Sequence, residues 1–395
     1  MRVLNITEEG RGGGPLNRIV DVGANLKKKG IETVVLYPKG SSETFQNNLR
    51  DKKLEHRPIR LNRLSREKKQ LLKYIFNFPF EVLHIRSIIK KEKIDVVHCN
   101  GPWQVKGIIA AGFTKAKSVW HLNDTYQPRS IQIMLNFLLR FFADGIIVAS
   151  SRTFEFYSKN CQELLKKPAV MINAAININK FTPGNVTPDP EIADTPGIKI
   201  ATLGNINPNK GYDTFVRASH HLSKLTDKKI TFFAVGPVLE SQKKYYEGLE
   251  KICQEHNIEN IRFLGFRKDV VEILEAIDIY VCSSDFEASP ISVWEALSMG
   301  KTVVSTDVGD VKNYFSANHC GAVVPTQDPK ALAECLAKLI NGKKDLKLVN
   351  EKARKFAIEH FSIEHISLLH EHFYKTLLNE DFDYNNNIQQ WKNRP

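Results

Sequence analysis

Two doubly wound α/β domains are what this chain predicts, on three observations. Short apolar runs recur along it, each followed by a polar turn and a helix-length stretch, the rhythm of parallel strands joined by helices. The rhythm occurs twice, and a stretch rich in Pro, Gly and acid (GNVTPDPEIADTPG, residues 184–197) separates the two occurrences. At 395 residues, the chain is also too long for a typical single core.

The first strand, Val3 to Ile6, ends in a glycine cluster: Gly10, Gly12, Gly13 and Gly14. Pro15 opens a helix that stops at Gly30, and the next strand runs from Thr33 to Tyr37. Glycines in that loop let backbone approach a ligand closely; a merely flexible loop is the alternative. Pro15 falls where G-x-G-x-x-G needs its last glycine, so no dinucleotide fingerprint is read. Residues 50–93 are dense in Lys and Arg interleaved with aromatics (RPIRLNRLSREKKQLLKYIFNFPF), which leaves a membrane surface and a plain solvated face both open. No base-reading motif accompanies the charge, and nucleic acid is not expected as a partner. Strands then alternate with helices: Asp95 to His98, Val119 to His121, Gly145 to Ala149 and Val170 to Ile172. His121 closes its strand ahead of Asn123 and Asp124, and its own context leaves it between a structural and a functional role.

The second half opens with a strand, Lys199 to Leu203, then a loop GNINPNKG and a helix from Tyr212. Ile230 to Val235 and Ile261 to Leu264 are further strands. The most informative stretch follows: IYVCSSDFEASPISVWEALSMGKTVVSTDVGD. Ile279 to Cys282 reads as a buried strand, Ser283 to Ser289 as a turn, and Thr302 to Ser305 as the next strand. Between them Pro290 suits a first helical residue with Ser289 as its N-cap, and Gly300 closes the helix. Glu287 then lies just outside the helix and Glu295 inside it, with the unpaired N–H groups of Ile291, Ser292 and Val293 between them. That is an anion cradle with a carboxylate on each side, which suits a diphosphate joining two hydroxyl-bearing groups.

After about Phe361 the run SIEHISLLHEHFYKTLLN predicts a helix over 361–380, with a polar tail over 381–395. His365, His370 and His372 lack the i, i+4 spacing of a metal pair and read as a solvated face, so no metal site is expected. Asp381-Phe382-Asp383 imitates an acidic metal-binding motif in that tail and is set aside.

Composition narrows the classes. Charged residues at 25% and apolar residues at 42% are ordinary for a water-facing globular protein. Six scattered cysteines without Cys-x-x-Cys argue against a disulfide framework or zinc site and favour a reducing, cytoplasmic compartment. Met1 leads directly into a strand, so no signal peptide is expected. The most apolar stretch, IQIMLNFLLRFFADGIIVAS, places Gln132, Asn136, Arg140 and Asp144 along one face and reads as an amphipathic helix rather than a membrane span. Net charge is +12, and residues 1–183 hold 31 Lys and Arg against 15 Asp and Glu, while the remainder holds 25 against 29. A basic first half favours a phosphate-bearing partner: anionic lipid, a lipid-linked pyrophosphate or nucleic acid.

In the frame of strand, Ser-Ser, Glu287, Pro290, Glu295-Ala-Leu, Gly300, strand and Asp-x-Gly, the chain resembles the retaining glycosyltransferases of family 4, with the GT-B fold. The resemblance covers nearly the whole chain and is strongest from 199 to 340. It implies two Rossmann-like domains facing a central cleft: an acceptor domain over 1–183, a linker over 184–198 and a nucleotide-sugar domain over 199–360, with the last helix crossing back to the first domain. It further implies a retaining transfer from a nucleotide-sugar to a glycan or lipid-linked acceptor in cell-surface polysaccharide or lipopolysaccharide assembly, without metal or other cofactor. The basic first domain would touch the inner face of the membrane.

Site roles carry over residue by residue as implications of the resemblance. Gly13 and Gly14 would face the donor phosphates, Glu287 would orient the transferred sugar with His121 beside it, and Glu295 would bind ribose. Ser289, Ile291, Ser292 and Lys210 would hold the diphosphate, and Arg267 would lie beside the base. Asn205 stands where the family has Arg, an amide that keeps hydrogen bonding but brings no charge. Other departures are Asn173, Ala174, Ala175 and Asn177, and Asn313 where Glu is usual. A nucleotide-sugar epimerase and a non-catalytic nucleotide-sugar-binding subunit are the alternatives, the second motivated by Asn205.

Overall fold

A computed structural model describes residues 1–10, 13–65, 67–125, 129–318, 320–342 and 346–378. Gly12 and the 379–395 segment, with its Asp381-Phe382-Asp383 motif, lie outside the described residues. The chain forms two compact units: Met1–Ala175 together with the segment from Ile363, and Ile176–Ser362. The division falls before the Pro/Gly-rich stretch, because Ile176 and Phe181 are buried in the second unit, where Ser298 Oγ and Arg354 both bond to Phe181 O.

Unit 1 begins β1 (Arg2–Ile6), α1 (Gly14–Lys28), β2 (Glu32–Pro38), α2 (Glu43–Asp51), β3 (Glu55–Ile59) and α3 (Lys68–Lys91). It continues with β4 (Val96–Asn100), α4 (Val105–Gly112), β5 (Lys117–Leu122), α5 (Arg129–Phe142), β6 (Gly145–Val148), α6 (Ser151–Asn160) and β7 (Ala169–Met171). The seven strands are parallel in the order β3-β2-β1-β4-β5-β6-β7. β3 escapes the sequence pattern because it is an edge strand, where one face is solvated and Pro58 forfeits no essential ladder bond.

Alternation along the strands sorts side chains to two faces. Leu4, Ile6, Val97, Cys99, Trp120 and Leu122 pack under α3, α4 and α5. Val3, Val96, Val119 and Ile147 share the other face with Val22 and Leu26 of α1. That face is closed by the last helix of the chain, through Ile366, Phe373, Tyr374 and Leu377.

Unit 2 runs α7 (Pro190–Ala193), β8 (Ile198–Leu203), α8 (Tyr212–Leu222), β9 (Ile230–Val235), α9 (Lys243–Glu255), β10 (Ile261–Gly265) and α10 (Val270–Ala276). Then come β11 (Ile279–Cys282), α11 (Ile291–Ser298), β12 (Thr302–Thr306), α12 (Val311–Asn318), β13 (Ala322–Val324), α13 (Pro329–Asn341) and α14 (Leu346–Phe361). Its six strands are parallel in the order β10-β9-β8-β11-β12-β13. α11 is anchored by Trp294, fully buried and stacked on Phe361 with ring centroids 4.1 Å apart. The chain then returns to unit 1 as α15 (Ile363–Leu378). Among the described residues no helix is long and apolar enough to cross a membrane.

Candidate active site

In unit 2 the loops at the carboxyl ends of β8 and β11 meet. Strand order reverses between these neighbours, β8 leading to β9 on one side and β11 to β12 on the other, and open α/β sheets hold ligands at such a switch point. Asp285 N donates to Asn209 O at 2.9 Å and Ser283 Oγ to Lys210 O at 3.0 Å, so the two loops are stitched together. Gly211 makes the approach possible: its φ is +59°, and a Cβ there would lie 2.0 Å from Ser283 O. Thr306, closing β12, braces the turn from the other side by donating to Ser284 O at 2.6 Å.

This stitching brings Lys210 Nζ within 2.5 Å of Glu287 Oε1, which also accepts from Ser284 Oγ at 3.1 Å. Burial works to lower the Lys210 pKa, but the Glu287 carboxylate outweighs it and the ammonium titrates above its ordinary value. The cation at the switch point is therefore charged and already paired.

The helix beside this pair starts one residue later than the sequence suggested. Pro290 is the N-cap, its carbonyl accepting from Val293 N at 3.0 Å and Trp294 N at 3.4 Å. Ser289 does not cap, because its Oγ takes the Trp294 indole N–H at 3.0 Å. Val293 N is thus engaged, which leaves the amides of Ile291 and Ser292 as those ahead of the first bonded turn. The Ser292 hydroxyl accepts from Tyr280 OH at 2.7 Å. Glu295, a turn further on, is only partly exposed; burial raises its carboxyl to about 7, with Lys180 pulling the other way.

Asn205 is exposed at the end of β8. Arg267, expected beside the base, is engaged by acids. It stands after β10, the edge strand, where it bonds to Asp189 and Asp269 and lies 3.4 Å from Glu191. Asp189 and Asp269 are the N-caps of α7 and α10, so the guanidinium ties two helix starts together instead of joining the Lys210 group.

In unit 1 the corresponding switch point lies between β1 and β4. Gly13 is the N-cap of α1 at φ +110° and Gly14 its first residue, so the glycine turn opens a helix there. His98, Asn100 and His121 end β4 and β5 on the face shared with α1 and α15, with Asn100 in register with His121. Arg18 of α1, 8% exposed, donates to His121 Nδ1 at 2.8 Å and to Asn100 Oδ1 at 2.5 Å. His98 Nε2 is 3.2 Å from the same His121 nitrogen, and His98 Nδ1 is 2.6 Å from Tyr374 OH. His370 stacks on His98 with centroids 5.6 Å apart.

His370 is therefore buried, contrary to the solvated reading; His372 alone of the α15 histidines is exposed. The signal was present, since Ile363, Ile366, His370, Phe373 and Leu377 form one helical stripe. Arg18, in the stripe with Val22 and Leu26, was legible in the same way. Burial, and the Arg18 charge after it, hold His121 well below the ordinary histidine value; burial likewise takes His370 down to about 3. Ring nitrogens of His98, His121 and His370 lie within 4.8 Å of one another. A metal ion there would compete for the His121 lone pair with a guanidinium, which has only protons to offer, so the cluster is organised for hydrogen bonding.

The same division appears in comparisons with known proteins. Residues 12–178 match the model described as Glycosyltransferase Family 4, and residues 188–356 match that of Glycosyl transferases group 1. An N,N'-diacetylbacillosaminyl-diphospho-undecaprenol alpha-1,3-N-acetylgalactosaminyltransferase of Campylobacter jejuni is 23% identical over 81% of this chain and 84% of its own. A glycosyltransferase from Rickettsia africae superposes with a TM-score of 0.80 at 22% identity, covering 96% of this chain and 99% of that one. HepE of Anabaena, solved with UDP and glucose, gives 0.78 at 18% identity over 95% and 100% of the two chains. Nothing in these matches supports the epimerase or the binding-subunit alternative. Two parallel-sheet Rossmann-like units, each matched by its own model, make this chain a glycosyltransferase of family 4 with the GT-B fold.

Proposed function

We propose that the chain transfers a sugar, with retention of anomeric configuration and without a metal, from a nucleotide-sugar to a glycan or lipid-linked acceptor of cell-surface polysaccharide assembly. The observation that carries the reading is the Lys210–Glu287 pair at the unit 2 switch point, set against the open end of α11. A diphosphate arriving there meets an ammonium and the helix amides of Ile291 and Ser292, which stabilise charge growing on the leaving group. Lys210 then exchanges Glu287 for phosphate, and the released Glu287 carboxylate accepts hydroxyls of the transferred sugar. Glu295 serves ribose in the same way. His121, Gly13 and Gly14 are assigned to the sugar and phosphate side of unit 1. The diphospho-undecaprenol in the name of the Campylobacter relative supports a lipid-linked acceptor.

Contact with an anionic membrane fits the same reading. α4 lies between α3 and α5, with Phe113 at its end packed on Phe142 of α5 and bonded through its carbonyl to Arg86 of α3. Both flanking helices leave large apolar side chains in water: Ile75, Phe76 and Phe80 on α3, and Ile133, Phe137 and Phe141 on α5. Lys68, Lys69 and Lys73 accompany them on α3, which suits an anionic lipid surface.

Replacing Glu287 by Ala should abolish transfer while circular dichroism and thermal midpoint stay near those of the native chain; undiminished turnover removes Glu287 from the mechanism. Screening UDP-, GDP- and ADP-sugars for thermal protection identifies the donor. The binding-subunit alternative predicts tight nucleoside diphosphate binding with no transfer to any member of an acceptor panel.

A further inference from the structure

We propose that Arg18, His98 and Tyr374 act as positioning residues that lock His121 into one neutral tautomer, with its proton on Nε2. His121 then meets a ligand as a hydrogen-bond donor and not as a base. The inference rests on the assignment of His121 to the sugar side of the site, and it follows from which partners can only donate. A guanidinium has no acceptor, so the 2.8 Å contact from Arg18 Nη1 requires a lone pair on His121 Nδ1. A neutral imidazole with Nδ1 unprotonated carries its hydrogen on Nε2. His98 Nε2, 3.2 Å from the same Nδ1, faces that lone pair, and an N–H sharing it with Arg18 avoids opposing two lone pairs, which leaves His98 Nδ1 to accept the Tyr374 O–H at 2.6 Å. His370 is fixed independently: its Nδ1 lies 2.8 Å from Ile366 O, a carbonyl that only accepts, so that nitrogen is protonated.

Every contact in the chain Tyr374–His98–His121–Arg18 thus has one consistent proton assignment, and that assignment puts the remaining ring hydrogen on His121 Nε2. The titratable and charged groups that face His121 are Arg18 from α1, His98 from β4 and His370 from α15, with Tyr374 of α15 behind His98. The only fixed charge among them is positive, so protonating the ring would place two cations side by side without water. Two of the four groups come from α15, which makes the last helix part of the site's chemistry and not only a cover for the sheet.

The test uses the full-length native chain labelled with 15N-histidine. Long-range 1H–15N correlations, with His121 assigned through loss of its signals in His121→Gln, report the tautomer directly from pH 5.5 to 8.5. The expected result is a protonated Nε2 and a bare Nδ1 that do not titrate across the range; a protonated Nδ1, or a ring that titrates near pH 6.5, overturns the proposal. Kinetics give a second reading. His121→Gln keeps an N–H donor and should hold transfer within about tenfold of native, whereas His121→Ala should lose far more. Equal loss in the two overturns the donor role. Tyr374→Phe preserves the ring and its packing but frees His98 Nδ1, and kcat should fall about tenfold with donor KM little changed and a new inflection in the pH profile. An unchanged profile overturns the relay. If no acceptor yields transfer, the functional reading fails while the spectroscopic result still stands or falls alone.

Discussion

At the residue scale, the ribose role proposed for Glu295 sets activity against stability. Its folded carboxyl titrates at about 7, above the ordinary 4.5, so the folded state holds an extra proton between those values and loses stability as pH rises through them. Glu295→Gln removes the charge that burial penalises. It should stabilise the chain by about 1 kcal/mol at pH 8 and by almost nothing at pH 4, measured by thermal midpoint. On the proposed ribose role the same change should weaken nucleotide binding; a variant that binds UDP as well as the native chain would remove Glu295 from the donor site. Asn205 gives the complementary case. Lys210 is the cation paired at this switch point and Glu287 already neutralises it, so Asn205→Arg should tighten nucleoside diphosphate binding about tenfold in titration calorimetry, with a steeper salt dependence.

At the scale of elements, the loop before α8 shows how a turn positions chemistry it does not perform. Gly211 holds φ +59° with Ser283 O where a Cβ would be, so Gly211→Ala combines a left-handed backbone with a backbone collision. We expect a loss of roughly 2 kcal/mol or more in stability, together with transfer activity, since Lys210 precedes the displaced residue. The apolar rows of α3 and α5 make a different prediction. Phe76 is 73% exposed and Phe80 62%, so replacing both by Asp costs the core little. Co-sedimentation with phosphatidylglycerol vesicles should fall several-fold in that double variant, with the thermal midpoint unchanged. Equal sedimentation would exclude this face as the lipid contact.

At the scale of the whole molecule, opposing buried groups shape the response to acid. His98, His121 and His370 are neutral when folded and take up protons only on unfolding, so stability falls as pH drops below about 6.5. Each contributes a slope of about 1.4 kcal/mol per pH unit. Glu295 and Glu8 oppose them: burial raises Glu8 to about 7 against the pull of Lys106, 3.1 Å away, and both carboxyls hold protons in the folded state down to their unfolded values. Three histidines against two carboxyls leave a shallow fall between about pH 6.5 and 4.5. Below that Glu295 and Glu8 are protonated in both states, and the histidines act unopposed by them. His370→Phe should flatten this lower limb in unfolding titrations from pH 4.5 to 3.5; an unaltered slope would show that its burial does not govern acid unfolding.

The sequence alone determined what local patterns encode. Apolar runs marked Ile230–Val235 and Ile279–Cys282 as strands to the residue, glycine clusters marked the turns, and the Glu287-to-Glu295 spacing placed two acids about a helix start. These depend on neighbours within a few residues, where periodicity and capping act. The tertiary structure decided which distant groups neutralise one another. Lys210 found Glu287, Arg267 paired with Asp189 and Asp269, and His370 joined His98 beneath α15. Those pairings follow from strand order and from burial that leaves a charge or ring no other partner, and neither is written in the spacing of any one segment.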